Sequence, residues 1–191
     1  MPEADWMLDK ISIARTQLLT AIDLFFEDGD PVSIHTLAGA AQEVLAKLCL
    51  VAGTPPFSVD AQQAFPHLGA KEVHSAFSIY KNAFKHMDRD DTAALSAFSE
   101  RENDALIFVA CTDYARLCRR FPLKIHVFTA WFYAVYRDEI GSPLSPGHFA
   151  DVFPGIERAS RSEQKAIGKR GLDLAARDSD LMASEFIDPA A

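Results

Sequence analysis

The segment Asn103-Asp104-Ala105-Leu106-Ile107-Phe108-Val109-Ala110-Cys111-Thr112-Asp113-Tyr114-Ala115-Arg116-Leu117-Cys118 decides the fold class. Its run from Ala105 to Cys111 is apolar in every direction around a helix, and a helix that is apolar all round belongs at the centre of a core. The β-branched residues near its start suggest a strand as the competing reading. Length argues against it, because Tyr114, Leu117 and Cys118 extend the pattern at helical spacing beyond the usual reach of a strand. Asn103 or Asp104 is expected to cap this helix, and Arg119 and Arg120 to meet the negative end of its dipole.

Working outward, Pro122 opens another apolar helix carrying Ile125, Phe128, Trp131, Phe132, Val135 and Tyr136, which Gly141 and Pro143 end. Toward the N-terminus, Met7, Ile11, Ala14, Leu18, Ile22 and Phe25 predict a helix over 5–28 closed by Gly29. Asp30-Pro31 then supplies a cap and a preset first turn for a second helix. Its apolar stripe, Ile34, Leu37, Ala41, Leu45, Leu48 and Ala52, runs to Gly53. So short a connector predicts an antiparallel hairpin. Pro55 and Pro56 start a loop with one short turn near 60–64, and Val73, Phe77, Tyr80, Phe84 and Met87 restore the helical period over 70–87. The polar stretch 88–102 reads as a surface excursion. Beyond Pro143 there is room for a short helix around 148–153, a polar helix over 162–176, and a frayed end from Asp178.

These elements predict an all-α fold: a single-domain bundle of about five main helices plus a C-terminal helix over 1–177, with 178–191 as a flexible tail. The core is expected from Leu18, Ile22, Phe25, Leu37, Leu45, Phe77, Phe108, Phe128, Trp131 and Phe132. A chain of 191 residues, 49% hydrophobic and 24% charged, can sustain one such core without staples. Its net charge of -8 disfavours phosphate polymers and anionic membranes except through a local patch. The acidic start lacks the basic and apolar regions of a secretory leader, and the longest near-apolar run, Ala105 to Cys111, is too short to cross a membrane. Cys49, Cys111 and Cys118 lie in apolar helical patterns, which suits reduced thiols in a cytoplasm. A soluble cytoplasmic protein is therefore expected.

Motifs exclude more than they assign. No Walker loop, dinucleotide loop or nucleophile elbow is present, so nucleotide cofactors and hydrolase triads lack support. The six histidines never adopt zinc or di-iron spacing, and no cofactor or metal is expected. His86, Asp88, Asp90 and Asp91 are close in sequence but lack the central glycine and distal glutamate of a calcium loop. His35 and His126 sit beside apolar stripes, as satisfied interface histidines do. Between Arg158 and Arg177, six basic residues face two acidic ones, a local excess of four positive charges that could carry RNA or an acidic partner.

The segment Tyr80-Lys81-Asn82-Ala83-Phe84-Lys85-His86-Met87-Asp88 carries the one chemical lead. Asn82 and His86 are one helical turn apart, with Ser78 and His74 on the turns before, and the flanking Lys81 and Lys85 could hold a phosphate while a histidine moves a proton. A solvated helix face explains the same stripe. In an all-helical chain, Lys81-Asn82 followed by His86 resembles the HEPN superfamily (higher eukaryotes and prokaryotes nucleotide-binding). Active members of that family carry Arg, a polar residue such as Asn, and a His four to six positions on. The resemblance spans about six residues of 191. It implies a four- or five-helix bundle, often dimeric, that cuts RNA without a metal, with His86 as general acid or base, Asn82 as positioning amide and Lys81 as phosphate-binding cation. Lys81 stands where the family has Arg and offers a point charge in place of a bidentate fork, so an inactive member is an alternative. The segment Phe84 to Asp88 is also similar to one in bacterial helical proteins without an assigned function.

Three functions are thus expected as alternatives: a helical interaction protein with a homodimer, RNA or protein as partner; a HEPN-like ribonuclease or RNA binder; and a ligand-binding bundle with a pocket among Phe108, Trp131 and Tyr136.

Overall fold

Two aspartates set the first two helices. In the computed structural model, which describes residues 9–64, 84, 98–140 and 151–188, the Asp9 carboxylate accepts from the Ser12 amide at 2.7 Å and starts α1 (Lys10–Phe26). Asp30 accepts from the Ser33 amide at 2.7 Å ahead of α2 (Pro31–Val51). Each oxygen satisfies an amide that has no partner inside the helix. α2 ends as expected at Gly53, whose φ of 70° lets the Thr54 amide return to the Cys49 carbonyl at 2.9 Å. α1 ends differently. The left-handed residue is Asp28 (φ 55°) and not Gly29, and the Gly29 amide bonds the Leu24 carbonyl at 2.8 Å. Aspartate tolerates this region better than most side chains, and Asp28 is held there by Ser162 and Lys165 from a distant helix.

α3 (Phe57–Ala64) begins directly after Pro56, earlier than the expected turn, because the Asp113 carboxylate accepts from the Phe57 amide at 2.7 Å. α4 (Glu102–Leu117) is the central helix predicted from its apolar run; the strand alternative fails. Neither Asn103 nor Asp104 caps it. Both are buried in its first turn, with their side chains committed elsewhere. At its other end Cys118 is already extended and Arg119 and Arg120 are exposed beyond the helix. Arg116 takes the last turn instead, its guanidinium meeting the Pro55 carbonyl and the Asp60 carboxylate.

The apolar helix after Pro122 is divided at Tyr136 into α5 (Leu123–Val135) and α6 (Arg137–Ile140). A 3₁₀ turn (Ile156–Arg158) precedes α7 (Arg161–Arg177), and α8 (Ser179–Met182) follows it. The Glu163 carboxylate accepts from the Ser160 amide at 2.8 Å, the capping box that starts α7. The described residues hold no strand, only a bridge between Phe121 and Ile187. That bridge corrects the expectation of a frayed end as far as Asp188. Ile187 is fully buried, the Phe121 amide donates to the Phe186 carbonyl at 3.1 Å, and Arg15 pairs with Asp188 at 3.3 Å.

The fold is all-α, as predicted. α1 packs along α2, α2 along α4, and α7 along α5. Of the expected core, Leu18, Ile22, Phe25, Leu45, Phe108, Phe128, Trp131 and Phe132 are buried; Leu37 is partly buried at the rim, and Phe77 lies outside the described residues. α2 is long and apolar enough to cross a membrane by length and composition, although it holds no long unbroken apolar run. In the bundle its Ala38, Ala41, Leu45 and Cys49 are fully buried among the other helices.

α7 can approach so closely because of one residue. A Cβ added at Gly168 would lie 2.3 Å from Phe26 Cε1 and 2.8 Å from Trp131 Cδ1. Alanine favours helices by about 1 kcal/mol over glycine, but forced overpacking costs about 1–3 kcal/mol. Gly168→Ala is therefore expected to lower the urea midpoint with an unchanged m value. A midpoint at or above that of the parent would show that α7 is not seated at this distance.

Candidate functional site

Lys81, Asn82 and His86, with His74, Ser78, Asp88, Asp90 and Asp91, lie outside the described residues. Of that region the structure describes Phe84, whose ring meets those of His35 and Phe98 edge-on at 5.5 and 5.1 Å. His35 is the interface histidine expected: it is buried, and its Nδ1 shares a hydrogen bond with Asn103 Oδ1 at 2.9 Å.

Two cations of the basic segment are turned inward. Lys165 is 2% exposed, and its Nζ donates to Asp28 and Glu100, each at 2.7 Å. Arg161 meets Glu100 at 3.2 Å and pairs with Asp104, which also accepts from the Tyr136 hydroxyl at 2.8 Å. Lys169 reaches Glu27 at 3.4 Å. Burial pushes the Asp104 carboxyl above its ordinary value, against the pull of Arg161 and Tyr136. Glu100 is raised by burial too, yet the Lys165 and Arg161 cations outweigh that and hold it below. Two of the six cations expected on a binding surface, Arg161 and Lys165, thus clamp α7 to the bundle, while Lys169 pairs at the surface and Arg158, Arg170 and Arg177 are exposed. Spacing could have shown this: Arg161, Lys165 and Gly168 share one stripe, and a glycine on a helix stripe marks close packing.

The feature left unused by the core is a cavity of about 680 Å³ bounded by α4, α5, residues 151–153, α7 and α8. Phe108, Ile125, Ala130, Tyr133, Phe153 and Leu174 give it apolar walls. Thr112, Thr129, His126, Asp151 and Asp178 are its polar lining. The Thr112 hydroxyl is spent on the Phe108 carbonyl at 2.9 Å, and the Asp178 carboxylate caps α8 through the Asp180 and Leu181 amides at 3.0 Å. The His126 ring stacks on Phe121 at 3.9 Å, and its Nε2–H donates to the Phe186 carbonyl at 3.2 Å, which leaves Nδ1 as an acceptor. Burial holds this imidazole below its ordinary value and hence neutral at pH 7. The Cys111 thiol on the wall is raised far above its usual range by burial, and in the core the Cys49 thiol is pushed up to about 11, so neither is poised as a nucleophile.

The pocket expected among Phe108, Trp131 and Tyr136 is corrected by the rotation of α5. Phe108 lines the cavity, but Trp131 faces the core, where Nε1 donates to the Gln164 carbonyl at 2.8 Å, and Tyr136 turns to Asp104. The residues of α5 on the cavity side are instead His126, Thr129, Ala130 and Tyr133.

No family model, curated protein or solved structure matches this chain. The chemistry of the site is then what its side chains supply. Among the described residues no group of three histidine, cysteine or acidic side chains could hold a metal ion. The cavity offers mainly apolar walls and one neutral imidazole, an arrangement suited to holding a molecule.

Proposed function

We propose that this protein binds a small, mainly apolar molecule in the cavity between α4, α5 and α7. The observation that carries the reading is the cavity itself: about 680 Å³ walled mostly by aliphatic and aromatic side chains. Protein interiors pack to crystal-like density with few voids larger than a water. Pockets for small molecules run from about 300 to 1,000 Å³. An interaction protein with no ligand accounts for the core but leaves this space without a purpose. The RNA reading depends on Lys81, Asn82 and His86, outside the described residues, and three cations of its basic segment are paired with carboxylates of this chain.

The test uses the neutral dye N-phenyl-1-naphthylamine, which fluoresces when desolvated. With about 17 non-hydrogen atoms at about −0.3 kcal/mol each, a Kd on the order of 100 µM or tighter is expected. Ala130→Phe projects into the cavity from α5 and should abolish the signal while the thermal midpoint stays within a few degrees of the parent. Undiminished binding by a folded Ala130→Phe, or no saturable binding by the parent, would overturn the proposal.

A further inference from the structure

The cavity has a sign. Its described lining carries two carboxylates, Asp151 and Asp178, and no lysine or arginine. Lys124, next in sequence to the lining residue Leu123, is tied to Asp23 at 2.7 Å on α1. The lining imidazole, His126, adds no positive charge at pH 7, because its ring is half-buried and stacked on Phe121. The two carboxylates differ in what they can offer. Asp178 spends Oδ1 on the first amides of α8. Asp151 is exposed and has no hydrogen bond or ion pair to another described residue.

We infer that the ligand is an amphiphilic cation, an apolar body seated against Phe108, Tyr133 and Phe153 with an amine or quaternary ammonium group directed to Asp151 and Asp178. The inference rests on the proposed use of the cavity. An anionic amphiphile such as a fatty acid would bring its carboxylate into a cavity whose described lining holds two others and no cation to receive it, and like charges repel. A cation gains a Coulomb contact at a partly exposed position. Each such pair contributes on the order of a two- to fivefold gain in affinity, because solvent screens it.

Decyltrimethylammonium, decanol and decanoate, used below their micellar concentrations, share one apolar tail and differ in charge. Their displacement of the neutral dye is measured at low and high salt. The expected order is ammonium tightest, by about tenfold over the alcohol, with decanoate weakest and the spread shrinking in salt. Asp151→Asn should cut the ammonium preference by about threefold without changing affinity for decanol. Asp138→Asn removes an exposed carboxylate outside the cavity and should change neither, which separates a local effect from the net charge of -8. If decanol and the dye bind but the ammonium has no advantage, or Asp138→Asn matches Asp151→Asn, the cationic assignment fails and the cavity reading stands. If neither the dye nor any decyl compound binds, the cavity reading fails.

Discussion

Arg161→Met is expected to destabilise the protein by about 3–5 kcal/mol, read from urea unfolding at pH 7. Methionine keeps an apolar side chain of similar length at this position and removes the guanidinium that lies over the Phe25 and Trp131 rings. Asp104 is fully buried, so its carboxylate then has the Tyr136 hydroxyl but no cation in contact. Lys165 continues to hold Glu100 and Asp28. The effect depends on pH in a definite direction. Burial already raises the Asp104 carboxyl above its ordinary value, and loss of Arg161 removes the main counterweight and raises it further. A carboxyl raised in the folded state binds more protons folded than unfolded between the two pKa values, so stability falls as pH rises through that interval. The difference between variant and parent should therefore be small near pH 4 and grow toward neutrality. Adding Asp104→Asn removes the stranded charge and keeps the bond to Tyr136. At least half of the loss should return in the double variant. A pH-independent difference, or a double variant no more stable than the single, would show that lost packing and not the buried charge sets the cost.

That ion cluster also marks where the sequence stopped being legible. Features written in neighbouring residues were readable: the Asp30-Pro31 start of α2, its end at Gly53, and the all-apolar face of α4 that excludes a strand. Features made by residues far apart were not. Asp28 takes the left-handed position beside a glycine because Lys165, 137 positions on, holds its carboxylate. Likewise α3 starts where Asp113, 56 positions away, receives the Phe57 amide. Arg161 and Lys165 read as part of a basic surface because hydropathy says nothing of a distant partner, although the Ser160 to Glu163 capping box and the glycine stripe were there to be read. Ile187 follows Phe186 in a stretch too short to show a period, and the groove that buries it exists only once Phe121 is in place. The cavity was anticipated as a pocket in this part of the bundle but assigned to the wrong face of α5. Periodicity places residues on faces without saying which apolar face meets the core.

The two faces of α5 give the second large prediction. Trp131 is fully buried, with edge-on rings of Phe25 at 5.0 Å and Phe26 at 6.0 Å, and its Nε1 donates to the Gln164 carbonyl. Trp131→Ala is expected to cost about 3–5 kcal/mol, through lost burial, the void left behind and the lost indole hydrogen bond. For a domain of this size that shifts the thermal midpoint by roughly 6–20 °C. Trp131→Phe refills most of the volume and gives up only this second bond, the Gln164 carbonyl keeping its helical one within α7, so about 0.5–1.5 kcal/mol is expected. Because Ala130 and Tyr133 line the cavity and Trp131 does not, Trp131→Phe should bind N-phenyl-1-naphthylamine with the parent's affinity while being less stable. Ala130→Phe should show the reverse, parental stability with binding lost. Stability and binding falling together in both variants would mean that the core and the cavity are one continuous space, and α5 would no longer separate a face that holds the fold from a face that holds a ligand.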